Sequence, residues 1–108
     1  MLRITMEEMN AVMIEKLMKH GVPENVAGEC AKLLVENSID GIYSHGVNRF
    51  PRIISYLDKG YIKAANTPTL VSSFGAMEKW DGNLGMGNTN AKFCMDRAIE
   101  LAHQYGIG

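Results

Sequence analysis

Cysteine is scarce in this sequence, and its two copies stand far apart. Cys30 and Cys94 are the only cysteines among 108 residues, so neither a disulfide framework nor a cysteine metal pair is indicated. We interpret both as reduced thiols on the inner faces of helices, as expected of a cytoplasmic protein. The three histidines, His20, His45 and His103, are equally scattered, and no ligand spacing predicts a metal site.

Long apolar runs and blocks of like charge are also missing. The sequence therefore predicts no transmembrane helix, and Glu7 and Glu8 precede any apolar run, which argues against a signal peptide. The formal net charge is −1 and the basic residues are spread along the chain, so neither nucleic acid nor a membrane is a predicted partner. With 46% hydrophobic residues, the composition is that of a globular domain.

Apolar periodicity predicts four helices and a small β-hairpin, which together make an α+β fold. The expected elements are a helix over residues 6–20 that starts with a Thr5/Glu8 capping box, a helix over 23–39, a helix capped by Asn48 and ending at Lys59, strands over 69–73 and 77–81, and a helix capped by Asn88 or Thr89 and ending before Gly106. The inward face of the last helix is predicted to contain Ala91, Cys94, Met95, Ala98, Leu101, Ala102 and Tyr105.

The stretch 41–51 collects the side chains best suited to chemistry. It joins two predicted helices, and its glycines and proline place Ser44 and His45 in a loop. The unpaired amides at the start of the next helix, beside the guanidinium of Arg49, favour an anion such as a carboxylate. Because an imidazole exchanges protons near neutral pH, this arrangement suggests acid–base work on a substrate that carries a carboxylate.

Asp40-Gly-Ile-Tyr-Ser-His-Gly-Val-Asn-Arg-Phe-Pro-Arg52 resembles the signature of the malate/L-lactate dehydrogenase type 2 oxidoreductases, Ser-His-Gly-Val-x-Arg-Leu/Phe-Pro. The similarity continues through residues 73–80 and 95–102 to Gly106-Ile-Gly108, and so covers nearly the whole chain. Many members carry Arg-Gly-His-x before the Ser-His pair, whereas this chain has Asp40-Gly-Ile-Tyr43. That difference narrows the resemblance to the subgroup that acts on 2,3-diketo-L-gulonate.

The resemblance implies a cytoplasmic, homodimeric enzyme that reduces a 2-oxo acid with NAD(P)H, with NADH preferred. His45 would be the general acid, Arg49 would bind the substrate carboxylate, and Ser44 would lie beside the substrate. Because the family's chains are much longer, residues 1–108 would be the N-terminal part of a larger α/β dehydrogenase whose nicotinamide-binding fold is not of the Rossmann type. The cofactor domain and cofactor-binding residues would lie outside this chain, which alone should not oxidise NADH.

Simpler roles are also consistent with these residues. His45 could be a loop histidine bonded to backbone carbonyls, Arg49 a surface cation, and Arg52 the partner in a salt bridge on a helix face. A Ser44–His45 nucleophile pair is disfavoured, because adjacent residues seldom point their side chains at each other and no third orienting group is evident.

The glycine-rich run Gly82–Gly87 reads G-x-x-G-x-G, which differs from the dinucleotide-binding pattern G-x-G-x-x-G. It predicts a turn before the last helix. Two alternative functions remain: another type 2 dehydrogenase that acts on malate, lactate, sulfolactate or ureidoglycolate, and a non-catalytic oligomerisation module whose contact surfaces are the first helix and the hairpin.

Overall fold

The computed structural model describes residues 1–108, which form two compact units, Met1–Ala65 and Asn66–Gly108. We call them unit 1 and unit 2. They contain the four helices and the hairpin predicted from the sequence, so the α+β fold class is confirmed. None of the helices combines the length and the apolar character that crossing a bilayer requires.

Unit 1 is built on two helices that pack against each other, α1 (Met6–Lys19) and α2 (Glu24–Ile39), followed by the shorter α3 (Phe50–Asp58). Apolar residues at helical spacing on α1 and α2 supply most of the buried side chains of unit 1. Together with Val22 between the two helices, the buried apolar residues are Met13, Leu17, Ala27, Cys30, Ala31, Leu34 and Val35. The centre of α1 thus contributes Met13 and Leu17 to the core, whereas Met6 near its start is exposed.

The start of α1 is fixed by local hydrogen bonds, as predicted. The Thr5 hydroxyl accepts a bond from the backbone N–H of Glu8 (3.1 Å), and the Glu8 carboxylate accepts one from the backbone N–H of Thr5 (2.8 Å). The bond from the Thr5 backbone N–H, and next the bond that the Thr5 hydroxyl donates to the same carboxylate (3.0 Å), lower the pKa of the Glu8 carboxyl below its ordinary value. The capping box is therefore confirmed, and it satisfies donors that a helix start leaves unpaired.

The start of α3 differs from the prediction that Asn48 caps it. A short 3₁₀ turn over Val47–Arg49 runs directly into α3, so Asn48 lies inside helical backbone and no side chain caps the helix. The position before α3 is occupied by Arg49, which has helical φ and ψ angles of −78° and −22°. Pro51 lies in the first turn of α3, as predicted, where a helix loses no hydrogen bond to it.

Unit 2 starts with an antiparallel hairpin of β1 (Thr69–Phe74) and β2 (Met77–Asp81). The first strand is one residue longer than predicted. Phe74 pairs with Met77 across a turn that contains Gly75, whose φ of +55° is readily available only to glycine. The hairpin is followed by α4 (Gly87–Tyr105), which ends at Gly106 with a φ of +81°, the left-handed cap that the sequence predicts.

The hairpin and α4 are joined by an aromatic contact and an ion pair. The rings of Trp80 and Phe93 meet edge to face, with centroids 4.8 Å apart. The guanidinium of Arg97 donates two hydrogen bonds to the Glu78 carboxylate, at 2.6 and 3.1 Å. The bonds from Arg97, and next the bond from the Trp80 indole N–H, lower the pKa of Glu78 below its ordinary value.

The predicted inward face of α4 is largely wrong. Leu101 is buried and Ala98 half-buried, but the other five predicted positions are exposed: Ala91, Cys94, Met95, Ala102 and Tyr105. The contacts of α4 with the hairpin are made by Phe93 and Arg97, and the buried Thr89 and Leu101 lie at the same four-residue spacing. Periodicity predicts an apolar stripe, but it does not reveal that an arginine faces the strands. Cys94 is consequently an exposed thiol rather than a core residue.

The glycine-rich run Gly82–Gly87 forms the turn that the sequence predicts. Asn83 and Leu84 both have left-handed φ angles, +51° and +58°. The Asn83 side-chain amide donates to the carbonyl of Thr67 (2.8 Å) and to the hydroxyl of Thr69 (3.1 Å), which ties the turn to the start of β1. These hydrogen bonds hold a conformation that asparagine tolerates better than most residues.

The start of α4 contradicts the prediction of a cap at Asn88 or Thr89. The helix begins at Gly87, the preceding position is occupied by Met86, and no side chain caps the helix. The Thr89 hydroxyl donates instead to the carbonyl of Met86 (3.0 Å), which makes it a buried polar group inside the first turn. Sequence reasoning placed the start of α4 too late because a capping side chain was assumed.

Candidate active site

The side chains predicted to do chemistry lie in the loop between α2 and α3. Gly41 ends α2 with a φ of +84°, and two 3₁₀ turns follow, Tyr43–His45 and Val47–Arg49, separated by Gly46. These turns make the segment compact, so Ser44 and His45 project from short helical turns rather than from extended chain.

The last turn of α2 holds this loop through its side chains. The Asn37 side-chain amide donates to the carbonyl of His45 (2.9 Å), and the Ser38 hydroxyl accepts from the backbone N–H of Val47 (2.8 Å). The carbonyl of Asn37 also accepts from the backbone N–H of Ile42 (2.8 Å). The sequence analysis did not identify either α2 side chain as part of the site, because only the fold brings them to the loop.

Gly46 lies directly against α2. A Cβ atom at this position would stand 2.1 Å from Oγ of Ser38, 2.9 Å from the Ser38 backbone N and 3.0 Å from the carbonyl O of Leu34. Two of these three neighbours are backbone atoms, which cannot rotate away. The loop therefore approaches α2 as closely as it does only because residue 46 has no side chain.

His45 is exposed, and its imidazole meets the neighbouring hydroxyl. Oγ of Ser44 lies 3.1 Å from Nδ1 of His45. The expectation that these adjacent side chains point apart is therefore wrong, since the 3₁₀ turn brings them together. No carboxylate is hydrogen-bonded to the His45 ring, whereas His20 does have a carboxylate partner, Asp58. A Ser-His-Asp arrangement is therefore absent.

Arg49 and Arg52 line one surface cavity of about 240 Å³, together with Ser44 and Asn48. The ion pairs of unit 1 lie elsewhere, at Lys19–Glu15, His20–Asp58 and Lys32–Glu36. The salt bridge predicted for Arg52 is thus not formed, and both guanidiniums keep their donors available for a ligand. Ser44 connects the two parts of the site, because its side chain lines the cavity and also meets the His45 ring.

The chemistry that these groups support is recognition of an oxygen-rich anion next to a proton donor. Arginine binds a carboxylate through paired, charge-assisted hydrogen bonds. No group of three or more His, Cys, Asp or Glu side chains is arranged to hold a metal ion. The site thus offers a cation, a hydroxyl and an imidazole from one short loop.

The known proteins that this chain resembles are dehydrogenases and reductases. The sequence is 45% identical over 107 residues to 2,3-diketo-L-gulonate reductase of Salmonella paratyphi B, a match that covers 99% of this chain and 32% of the relative. The fold matches malate dehydrogenase from Pyrococcus horikoshii with a TM-score of 0.94 at 28% identity, over 99% of this chain and 31% of that one. Sulfolactate dehydrogenase from Methanocaldococcus jannaschii matches with a TM-score of 0.90 at 33% identity, over 94% and 30%.

The sequence profile of the malate/L-lactate dehydrogenase family matches residues 4–108. This chain belongs to the malate/L-lactate dehydrogenase family. It spans about a third of the length of the curated relatives that it matches and corresponds to their N-terminal part. The resemblance noted from the Ser-His-Gly-Val-Asn-Arg-Phe-Pro segment is therefore confirmed.

Proposed function

We propose that the full-length protein containing this chain reduces a 2-oxo acid of the 2,3-diketo-L-gulonate type, and that His45 donates the proton. The observation that carries the proposal is the continuity of the site: the imidazole of His45 meets Ser44, and Ser44 lines the same cavity as the unpaired guanidinium of Arg49. The identity of 45% to a reductase of that substrate supports the choice of acid. Malate and sulfolactate are the alternative substrates within the family, because two structural relatives are named as dehydrogenases of these acids.

The proposed mechanism assigns each side chain one task. Arg49 holds the substrate carboxylate through its planar guanidinium and so fixes which face of the neighbouring carbonyl is presented. As a hydride adds to the carbonyl carbon, the oxygen becomes anionic and needs a proton. Oγ of Ser44 lies within hydrogen-bond distance of Nδ1 of His45; in the charged imidazolium, Nδ1–H donates to this hydroxyl, and Nε2–H delivers its proton to the oxygen, which leaves a neutral imidazole.

The hydride source in this proposal is a nicotinamide cofactor, with NADH preferred over NADPH. The glycine-rich turn at Gly82–Gly87 does not fit its phosphates. A Cβ at Gly82 would meet the Asn90 side chain at 2.9 Å, and a Cβ at Gly85 would meet the carbonyl of Asn66 at 2.6 Å. These glycines accommodate the chain's own atoms rather than a ligand. We therefore assign cofactor binding to the part of the enzyme outside residues 1–108. Separately, by analogy with the family, we propose that the enzyme is a cytoplasmic homodimer.

Replacement of the proposed acid tests the mechanism in the full-length enzyme. His45→Gln should lower kcat for keto-acid reduction by about 10²- to 10⁴-fold, the usual contribution of a general acid. His103→Gln is the matched control, because His103 is an exposed histidine on α4 in the other unit. Steady-state oxidation of NADH, with circular dichroism to verify folding, provides the measurement. A His45→Gln enzyme with near-normal kcat would remove His45 from the reaction.

The carboxylate clamp has its own test. Arg49→Lys keeps the positive charge but loses the paired donors of the guanidinium. We expect KM for the keto acid to rise by about tenfold or more, with a smaller effect on kcat, because binding of the carboxylate is the interaction that is weakened. An unchanged KM would show that the carboxylate binds elsewhere.

A further inference from the structure

The cavity beside His45 contains more positive charge than one carboxylate requires. Arg49 and Arg52 both line it and are three residues apart, so they share one side of the helical backbone that starts α3. Neither guanidinium has an acidic partner, since the ion pairs of unit 1 involve other residues. Two guanidiniums offer more hydrogen-bond donors than one carboxylate can accept, so Arg52 has donors available for a second group of the ligand.

The two arginines are not equivalent relative to the imidazole. Arg49 belongs to the 3₁₀ turn that directly follows the His45 turn, whereas Arg52 lies within the first turn of α3. If the carboxylate next to the reacting carbonyl occupies Arg49, Arg52 faces the more distant carbons of the substrate. Asn48 lies four residues before Arg52 and lines the same cavity, so its amide is available at the same end.

The chemistry of this distal pair favours hydroxyl groups. Arg52 can only donate hydrogen bonds, whereas the Asn48 amide both donates and accepts. A carboxylate only accepts hydrogen bonds, so it would leave the amide oxygen of Asn48 without a hydrogen-bond donor. A hydroxyl donates and accepts, and it can satisfy both side chains together.

We propose that Arg52, assisted by Asn48, is a specificity-determining residue that binds hydroxyl groups on the distal carbons of the 2-oxo acid. This inference rests on the proposed reduction of a 2-oxo acid at His45. In addition, it assigns to Arg52 the selection of the groups on the distal carbons of the substrate. The full-length enzyme should therefore prefer a polyhydroxylated acid to an equally long acid with an apolar tail, and Arg52 should be the source of that preference.

The test compares three six-carbon 2-oxo acids on the full-length enzyme: one with hydroxyls on the last three carbons, 2-oxohexanoate, and 2-oxohexanedioate. In Arg52→Met the ratio of kcat/KM for the hydroxylated acid to that for 2-oxohexanoate should fall about tenfold, the loss expected for a hydrogen bond to a charged group. Arg52→Lys should restore part of the ratio. Lys59→Met is the matched control, because Lys59 is an exposed cation at the other end of α3, and it should leave the ratio unchanged.

Two results would overturn the assignment. An equal loss of kcat/KM for all three acids in Arg52→Met would make Arg52 a general anion binder, and a greater loss for 2-oxohexanedioate would make it a site for a second carboxylate. Calorimetric binding of gluconate and hexanoate, which need no reduction, separates this inference from the proposed function. If gluconate binding depends on Arg52 but no keto acid is reduced, the reductase proposal fails and the assignment of Arg52 stands; if keto acids are reduced without a preference for hydroxyls, only the assignment fails.

Discussion

Replacement of Gly46 by alanine isolates one close approach on which the loop between α2 and α3 depends. Gly46 has φ and ψ angles of −102° and −136°, so its φ lies outside the left-handed region that favours glycine. The contact of the added methyl with α2 is the main cost of the substitution. The added methyl would stand 2.1 Å from Oγ of Ser38 and within 3.0 Å of two backbone atoms of α2. The Ser38 hydroxyl could turn away, but only by giving up the hydrogen bond from the backbone N–H of Val47.

The magnitude follows from these two contributions. Overpacking by a methyl group costs about 1–3 kcal/mol when neighbours must shift, and loss of the Ser38 bond adds about 1 kcal/mol. The lower entropy of the unfolded alanine chain offsets about 0.4–1 kcal/mol. We therefore expect Gly46→Ala to destabilise unit 1 by about 1–4 kcal/mol. Urea denaturation followed by circular dichroism at 222 nm measures this as a lower midpoint with an unchanged slope.

Two further variants make the reasoning refutable. Gly28→Ala is the matched control, because Gly28 lies within α2 and a Cβ there meets no atom within 4 Å; it should stabilise the chain by about 0.5–1 kcal/mol. Combining Ser38→Ala with Gly46→Ala removes the hydroxyl but leaves both backbone contacts, so it should restore stability only in part. If Gly46→Ala unfolds at the same urea concentration as the parent, the close approach to α2 is not needed to hold the loop.

Two other expectations concern hydrogen bonds away from the site. Because the pKa of Glu78 is lowered by Arg97, its contribution to stability is present above the ordinary carboxyl pKa and is lost as pH falls through the lowered value; Glu78→Gln should flatten the acid dependence of unit 2, monitored by fluorescence of the single tryptophan, Trp80, and acid curves parallel to those of the parent would contradict this. Thr5→Ala should destabilise α1 by about 1 kcal/mol because the bond to Glu8 is lost, and Thr5→Ser should recover most of it in thermal melts, whereas equal melting of both variants would contradict the capping role.

Local features of the fold could be predicted from the sequence, because their causes lie within a few residues. The Thr5 and Glu8 pair forms its capping box from side chains three residues apart. Gly106 ends α4 because its left-handed conformation favours glycine. The family signature also identified Ser44, His45 and Arg49 as residues of one loop, since they are close in sequence. Their proposed roles stay predictions until the variants are measured.

Features that depend on distant contacts could not be predicted. Asn37 and Ser38 appeared only as positions late in a helix, yet they hold the loop that follows. Nothing in the sequence around Arg97 indicates that it lies against the hairpin, where it pairs with the Glu78 carboxylate. In both cases the partner lies across a turn or in another element, and single-sequence periodicity contains no information about that pairing.

Both ends of α3 are held by contacts with other helices of unit 1, and these contacts reduce the entropy that the helix can lose when a ligand binds. Its first turn continues from the loop bonded to α2, and near its last turn Asp58 accepts a short contact of 2.6 Å from Nδ1 of His20 at the end of α1. Arg52 therefore projects from backbone that is already immobilised before a substrate arrives. Only side-chain rotamers remain to be frozen, at about 0.5–1.5 kcal/mol for each side chain, and no loop has to be ordered. In the proposed site, preorganisation of this kind lowers the ordering cost of binding a small acid.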